Sequence, residues 1–303
     1  MSDWQEEYPH RRRKKRKRKR CFRRLIKLTA GIVVFAFLLN RGMSFIGDHF
    51  ILTDSGIAIE NGANVQNGGA AEYVSGADVR GKLEEMAASS ETVRQILEHS
   101  DQYPEELLEL LANNEETADF VLDYPQKKDQ TPADSIGEVT AGVIPHLLQW
   151  DERWGYAVYG DHMIAINGCG PTALAMAAAG LTGDGSITPY RVARYAAEQG
   201  YYEGEAGTSW ALMTEGAAVF GVQGKELGMI RDEIFAELES GHPIICSMRP
   251  GDFTSTGHFI VLVGIEDGKI RVNDPNSRVR SGQLWEYETL EYQINNLWAF
   301  TAA

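Results

Sequence analysis

Asn167-Gly168-Cys169-Gly170-Pro171-Thr172 runs directly into Ala173-Leu174-Ala175-Met176-Ala177-Ala178-Ala179, which reads as a helix of small residues. A thiol at the start of that helix faces unpaired backbone N–H groups and the positive end of the helix dipole. Both favour thiolate, the nucleophilic form of cysteine. Working outward, His258 opens a strand-like run downstream, Asp274 closes the next one, and Gln149 lies upstream.

Nucleophilic cysteine chemistry requires a base beside the sulfur, a group that orients the base, and donors for the oxyanion. Gly168 and Gly170 are expected to leave room for substrate backbone, and the Cys169 N–H is one oxyanion donor. Gln149 reads either as the second donor or as a surface amide. His258 precedes Phe259–Ile265, and Ile270–Asp274 returns after Glu266-Asp267-Gly268. A two-residue Asp267-Gly268 turn pairs Glu266 with Lys269 and places Asp274 opposite Val261, on the far side of the sheet from His258. A three-residue loop with Gly268 left-handed pairs Ile265 with Lys269 and places Asp274 opposite Ile260, diagonal to His258 at about 7–8 Å. The three-residue loop is therefore expected. A tight turn without a compensating bulge makes Asn273 the orienter instead. Taken singly, His258 is also a capped core histidine and Asp274 a turn residue before Pro275.

The rest of this half of the chain is read as helices first and strands later. Helices are expected to Gly180, over Pro189–Gln199, from an N-cap at Ser209 to Phe220, and over Met229–Leu238. Strands are expected over Ile244–Met248, Phe259–Ile265 and Ile270–Val272, with Leu297–Phe300 closing the sheet. A mostly antiparallel sheet after the helices gives an α+β class.

The chain has a formal net charge of −14, which conceals an asymmetry. Residues 1–27 carry thirteen Lys or Arg against three Asp or Glu, a net of +10, leaving 16 basic and 40 acidic residues beyond them, a net of −24. Ten consecutive basic residues, Arg11–Arg20, precede an apolar stretch. From Leu25 to Ile46 a helix reaches about 33 Å, enough for a hydrocarbon core of roughly 30 Å if Lys27 and Arg41 snorkel. Lacking a small-x-small cleavage pattern, the stretch is expected to be an uncleaved signal-anchor rather than a signal peptide. The positive-inside rule keeps residues 1–24 cytoplasmic and sends the remainder outside, with the bilayer bound through residues 25–47 and anionic headgroups through Arg11–Arg20. The apolar neighbour argues against a nucleic-acid partner for the basic run.

The segments are a basic tail over 1–24, a transmembrane signal-anchor over 25–47, and a flexible Gly/Asn/Ala spacer over 48–77. A helical cap region follows over 78–124, a linker over 125–143 and a globular domain over 144–303. The cap helices are each too short to stand alone and are expected to pack on the domain that follows, a separate stalk being the alternative. Three cysteines make no disulfide framework. Cys246 reads as a small buried apolar residue. A Cys169–Cys246 disulfide would abolish the chemistry.

Gln149, the Asn167–Thr172 box, Gly257-His258-Phe259 and Asn273-Asp274-Pro275 together resemble the papain-like peptidases that process bacteriocins at double-glycine leaders. More closely, they resemble the stand-alone bacterial domains called peptidase family thirty-nine-like. The resemblance covers roughly residues 144–300. It implies a papain-like fold, a helical half carrying the nucleophile and an antiparallel sheet carrying His and Asp. It also implies Cys169 as nucleophile, His258 as base, Asp274 as orienter and Gln149 as oxyanion donor, with no metal or organic cofactor. Leader-processing members are fused to an exporter, whereas this sequence has no Gly-x-x-x-x-Gly-Lys-Ser/Thr phosphate loop and one anchor. The expected function is a membrane-tethered cysteine peptidase acting on a peptide or protein outside the membrane. A peptidoglycan amidase or endopeptidase and a non-catalytic anchored binding module are the alternatives.

Overall fold

Short helices with one apolar face need a partner surface, and the first four α-helices among the described residues find one. The computed structural model describes residues 73–303. The basic tail, the expected anchor and most of the spacer lie outside the described residues. Among the described residues, no helix is long and apolar enough to cross a membrane.

The helical region comprises α1 (Ala77–Ala87), α2 (Glu91–Glu98), α3 (Glu105–Asn113) and α4 (Ala118–Lys127). Ser90 caps α2, its hydroxyl accepting from the Val93 N–H at 3.3 Å. Val79, Leu83, Ile96, Leu107 and Leu111 bury in one cluster with Leu148, Trp150 and Tyr156 of the following domain. The Phe120 and Tyr156 rings stack at 4.2 Å, and the Tyr156 hydroxyl donates to the Phe120 carbonyl at 2.7 Å. The region is thus packed on the domain, and a separate stalk is excluded.

Two segment boundaries shift. Helix α4 runs on through Pro125 to Lys127, into the expected linker. Proline there forfeits one backbone bond, while Lys127 pairs with Asp123 at 2.9 Å and Glu152 at 2.5 Å to tie down the last turn. The far end of the expected spacer is pinned as well. Val74 exchanges hydrogen bonds with the Asn113 side chain at 2.8 and 2.7 Å.

In the following domain a two-strand hairpin, β1 (Val158–Tyr159) and β2 (His162–Met163), leads into α5 (Ile164–Asn167), α6 (Cys169–Thr182) and α7 (Pro189–Glu198). Then come α8 (Ala211–Thr214), β3 (Val222–Glu226), α9 (Arg231–Glu239), β4 (Ile244–Met248), β5 (His258–Glu266) and β6 (Lys269–Asn273). The chain closes with α10 (Arg278–Ser281), β7 (Leu284–Trp285), α11 (Tyr287–Glu291) and β8 (Ile294–Ala302). The six longer-range strands form one antiparallel sheet in the order β3-β8-β4-β5-β6-β7.

Alternation along β5 builds a core on each face of this sheet. Phe259 and Val261 pack with α6 and α7, whereas Ile260 and Leu262 pack with α9, Val272 and Leu297. Helix α6 is buried from Gly170 to Gly180, which explains its run of alanines, since larger side chains would hold it off the sheet.

Three element readings change. The helix expected from Ser209 to Phe220 breaks into α8 and a 3₁₀ turn, Gly216–Phe220, at a glycine whose Cβ would lie 2.8 Å from Leu212. Strand β8 does not close the sheet but lies between β3 and β4. Strand β3 was not read as a strand because only Val222 of its five residues is buried.

Candidate active site

Cys169 is the first residue of α6 and half-buried. The glycines beside it do not leave space for substrate. A Cβ at residue 170 would lie 2.8 Å from the Thr208 side chain, and one at residue 168 would lie 2.4 Å from the Ile164 carbonyl. They are glycine because α5, α6 and Thr208 close in around the thiol's backbone. Cys246 lies buried in β4, and both thiols are free, so no disulfide blocks Cys169. Burial pushes the Cys246 thiol up, making it inert.

The β5–β6 hairpin departs from expectation and reaches the expected pairing by another route. Glu266 pairs with Lys269 across a two-residue turn, Asp267-Gly268, with φ of 52° and 75°. Left-handed backbone at both positions is a type I′ turn, whose twist matches that of the strands. The expected three-residue loop is absent. A bulge between Leu262 and Gly264 then shifts the register, so that Leu262 pairs with Val272 and Val261 with Asn273. Continuing that register sets Asp274 opposite Ile260, on the same side as His258.

His258 Nε2 accordingly donates to Asp274 Oδ1 at 2.7 Å, both side chains being buried. Asn273 points elsewhere, with Nδ2 toward the Ile144 and Pro145 carbonyls at 3.4 and 3.3 Å.

Sequence reasoning missed the groups that hold Asp274. Arg280 Nε donates to Oδ2 at 2.5 Å, and the Asn276 N–H donates to Oδ1 at 2.7 Å. The Asp274 N–H donates to Ser281 Oγ at 2.8 Å, and its carbonyl accepts from His146 Nε2 at 2.8 Å. The one local signal was Ser277, which caps α10 by accepting from the Arg280 N–H at 3.1 Å. That cap turns Arg280 back onto Asp274.

Electrostatics follow from this arrangement. Burial disfavours the His258 charge most strongly. The Asp274 charge and hydrogen bond outweigh it, Cys169 adds to them, and the imidazole is raised to about 9. For Asp274, burial would raise the carboxyl, but His258 and then Arg280 hold it below its usual value.

With Nε2 committed to Asp274, the charged form of the ring is the one these neighbours favour. A group raised on folding stabilises fully below its unfolded value near 6.5, and that contribution fades as pH rises through about 9. The lowered Asp274 contributes above the ordinary carboxylate range and loses its contribution only as pH falls through its depressed value. Melting temperature is therefore expected to fall between pH 6.5 and 9.5 more steeply in the wild type than in His258→Gln. Equal slopes would remove the pair from the account.

Gln149 is buried, which rules out a surface amide. Its N–H donates to the Pro275 carbonyl at 2.8 Å, binding it to the Asp274 loop. Its Nε2 donates to the Ala165 carbonyl at 2.7 Å and to the Ile166 carbonyl at 3.3 Å, while Oε1 is buried without a partner.

Gln149, Cys169 and His258 line one cleft of about 1180 Å³. That exceeds the few hundred to about 1,000 Å³ typical of small-ligand pockets and suits an extended chain. Its other walls include α3, through Glu106, Glu109 and Asn113, the loop Pro250–Gly257, and the side of Asn114, Asn276 and Arg280.

The model of one family, Peptidase_C39 like family, matches residues 143–301. Two solved structures are similar to the chain. One is the peptidase domain of Streptococcus ComA, a bi-functional ABC transporter involved in a quorum sensing pathway. It is 20% identical with a TM-score of 0.36, over 45% of this chain and 91% of that one. The other is described as a C39-like peptidase from Bacillus anthracis, 15% identical with a TM-score of 0.30, over 54% of this chain and 96% of that one. No curated protein matches. The family match takes in α5 and α6 with Cys169 and the whole six-stranded sheet with His258 and Asp274, and it spans more than half of the sequence: the chain belongs to the Peptidase_C39 like family.

Proposed function

We propose that this chain is a membrane-anchored, extracytoplasmic cysteine peptidase of papain-like arrangement, with Cys169 as nucleophile, His258 as base and Asp274 as its orienter. One observation carries the reading. The buried His258–Asp274 pair opens on the same cleft as a thiol at a helix start.

The Cys169 thiolate attacks the scissile carbonyl carbon, and the C–O π electrons move to oxygen. The Cys169 N–H and Gln149 Nε2 serve that oxyanion. The 3.3 Å bond from Gln149 to Ile166 is the weaker of its two and the one the oxyanion replaces. Collapse expels the amine, which takes the Nδ1 proton of His258 and leaves a thioester. The now neutral imidazole removes a proton from water, hydroxide attacks the thioester, and the acid leaves as the thiolate–imidazolium pair is restored.

The location rests on the sequence. The run Arg11–Arg20 and the apolar residues 25–47 support a single-pass anchor with the cleft outside. A membrane-impermeant cysteine-directed probe on intact cells is expected to label wild type and spare Cys169→Ala. Labelling of Cys169 only after lysis would overturn the topology. Hydrolysis of peptides from a library, with purified sacculi left intact, is the expected substrate result; release of wall fragments would instead make the enzyme an amidase or wall endopeptidase.

A further inference from the structure

Two side chains of the helical region reach the loop that holds Asp274. Asn114 Nδ2, just past α3, donates to the Asn276 carbonyl at 2.6 Å, an oxygen that also accepts from Trp150 Nε1 at 3.0 Å. Glu116 lies in the 3₁₀ turn Glu115–Thr117 between α3 and α4. Its carboxylate accepts from Ser277 Oγ at 2.5 Å and from the N–H groups of Arg278 at 2.8 Å and Val279 at 3.3 Å. The turn is itself braced, since Asn114 Oδ1 accepts from the Glu116 N–H at 3.1 Å and the Asn114 carbonyl accepts from Thr117 Oγ1 at 2.7 Å.

The clamped residues are those that fix the carboxylate of Asp274. Asn276 supplies an N–H to Oδ1, and α10, whose start Glu116 holds, supplies Arg280 to Oδ2. Glu116 does not line the cleft, so it has no contact through which to act on substrate directly. An isolated structural link between two regions would require no such convergence on one carboxylate.

We propose that Glu116, assisted by Asn114, is a positioning residue for the active site. The helical region completes the His258–Asp274 pair by clamping residues 276–279. The proposal rests on the reading of Asp274 as the orienter of His258.

The test is the rate of alkylation of Cys169 by iodoacetamide in the full-length protein, followed at that residue by mass spectrometry from pH 5 to 9. No substrate is needed. The charged and titratable groups around the reporting imidazole are Cys169, Asp274, Arg280 behind Asp274, and His146 on its carbonyl. Glu116→Ala is expected to slow alkylation at pH 6 about tenfold and to move the pH profile toward alkaline values. A link that merely held the two regions together would lower the melting temperature without moving the profile. Glu116→Gln keeps one acceptor oxygen and is expected to slow it about threefold, roughly one hydrogen bond's worth.

Asp274→Asn is the control for the underlying reading. If it slows alkylation while both Glu116 variants match wild type, the proposal is overturned and the orienter reading stands. If Asp274→Asn itself matches wild type, the orienter reading is overturned and the proposal with it. Should Glu116→Ala yield no folded protein, Glu116→Gln alone decides, and a wild-type profile overturns the proposal.

Discussion

Asp274→Asn is expected to lower kcat/KM between about a hundredfold and ten-thousandfold while the protein still folds. The substitution changes no shape, but it puts an amide N–H₂ where three donors already converge, His258 Nε2 and the Asn276 N–H on one oxygen and Arg280 Nε on the other. If the amide keeps its oxygen toward His258 Nε2, its nitrogen meets Arg280 Nε, donor against donor, at a site set for 2.5 Å. If it turns round, His258 Nε2 must accept, the proton moves to Nδ1, and a neutral ring with Nδ1–H cannot take the thiol proton. Either orientation removes the carboxylate charge that holds the imidazole near 9. It also leaves the guanidinium of Arg280 partly buried and uncompensated, at a stability cost of about 3 kcal/mol. Adding Arg280→Gln removes the donor conflict and is expected to restore part of both losses. An Asp274→Asn enzyme with wild-type kcat/KM and melting temperature would show that the carboxylate does neither job.

Cys169→Ser is expected to lower hydrolysis by about ten-thousandfold or more, with the melting temperature nearly unchanged. A hydroxyl at a helix start is not ionised by a neighbouring imidazole, so the nucleophile is lost while the volume is kept. The surroundings do not depend on the sulfur. Gly168 and Gly170 fit against Ile164 and Thr208, and the His258–Asp274 bond is independent of it. The variant should therefore still bind substrate, which makes it a reagent for capturing one. Retained hydrolysis would transfer the nucleophile's role to another group. Unfolding would show that the thiol is structural.

The site was legible in the sequence to different depths. Cys169 and its helix were readable because a glycine-flanked thiol and an alanine run are local signals. The His258–Asp274 pairing was reached by a sound argument about faces, although the wrong turn was chosen. Gly264, inside an otherwise apolar strand, was the trace of the bulge that compensates the tight Asp267-Gly268 turn. Gln149 read equally as an oxyanion donor and as a surface amide; it is buried, and its bonds to Ala165 and Ile166 depend on a neighbouring segment that periodicity cannot place. Arg280 was hidden because it approaches Asp274 only after α10 turns back, and the two arginines of Arg278-Val279-Arg280 read as solvated. The contacts of Asn114 and Glu116 join residues about 160 positions apart, a distance over which a single sequence carries no pairing signal. Strand β3 and the interior place of β8 were lost for a related reason. Strand order is decided by sheet packing, not by local pattern.

The most direct test of the central claim is the pH dependence of iodoacetamide reaction at Cys169 in wild type and in His258→Gln. A thiolate held against an imidazolium is expected to react readily well below pH 8 in the wild type and to lose that reactivity in the variant. A wild-type rate that climbs only above pH 8, and that is unaltered by removing the imidazole, would contradict the account.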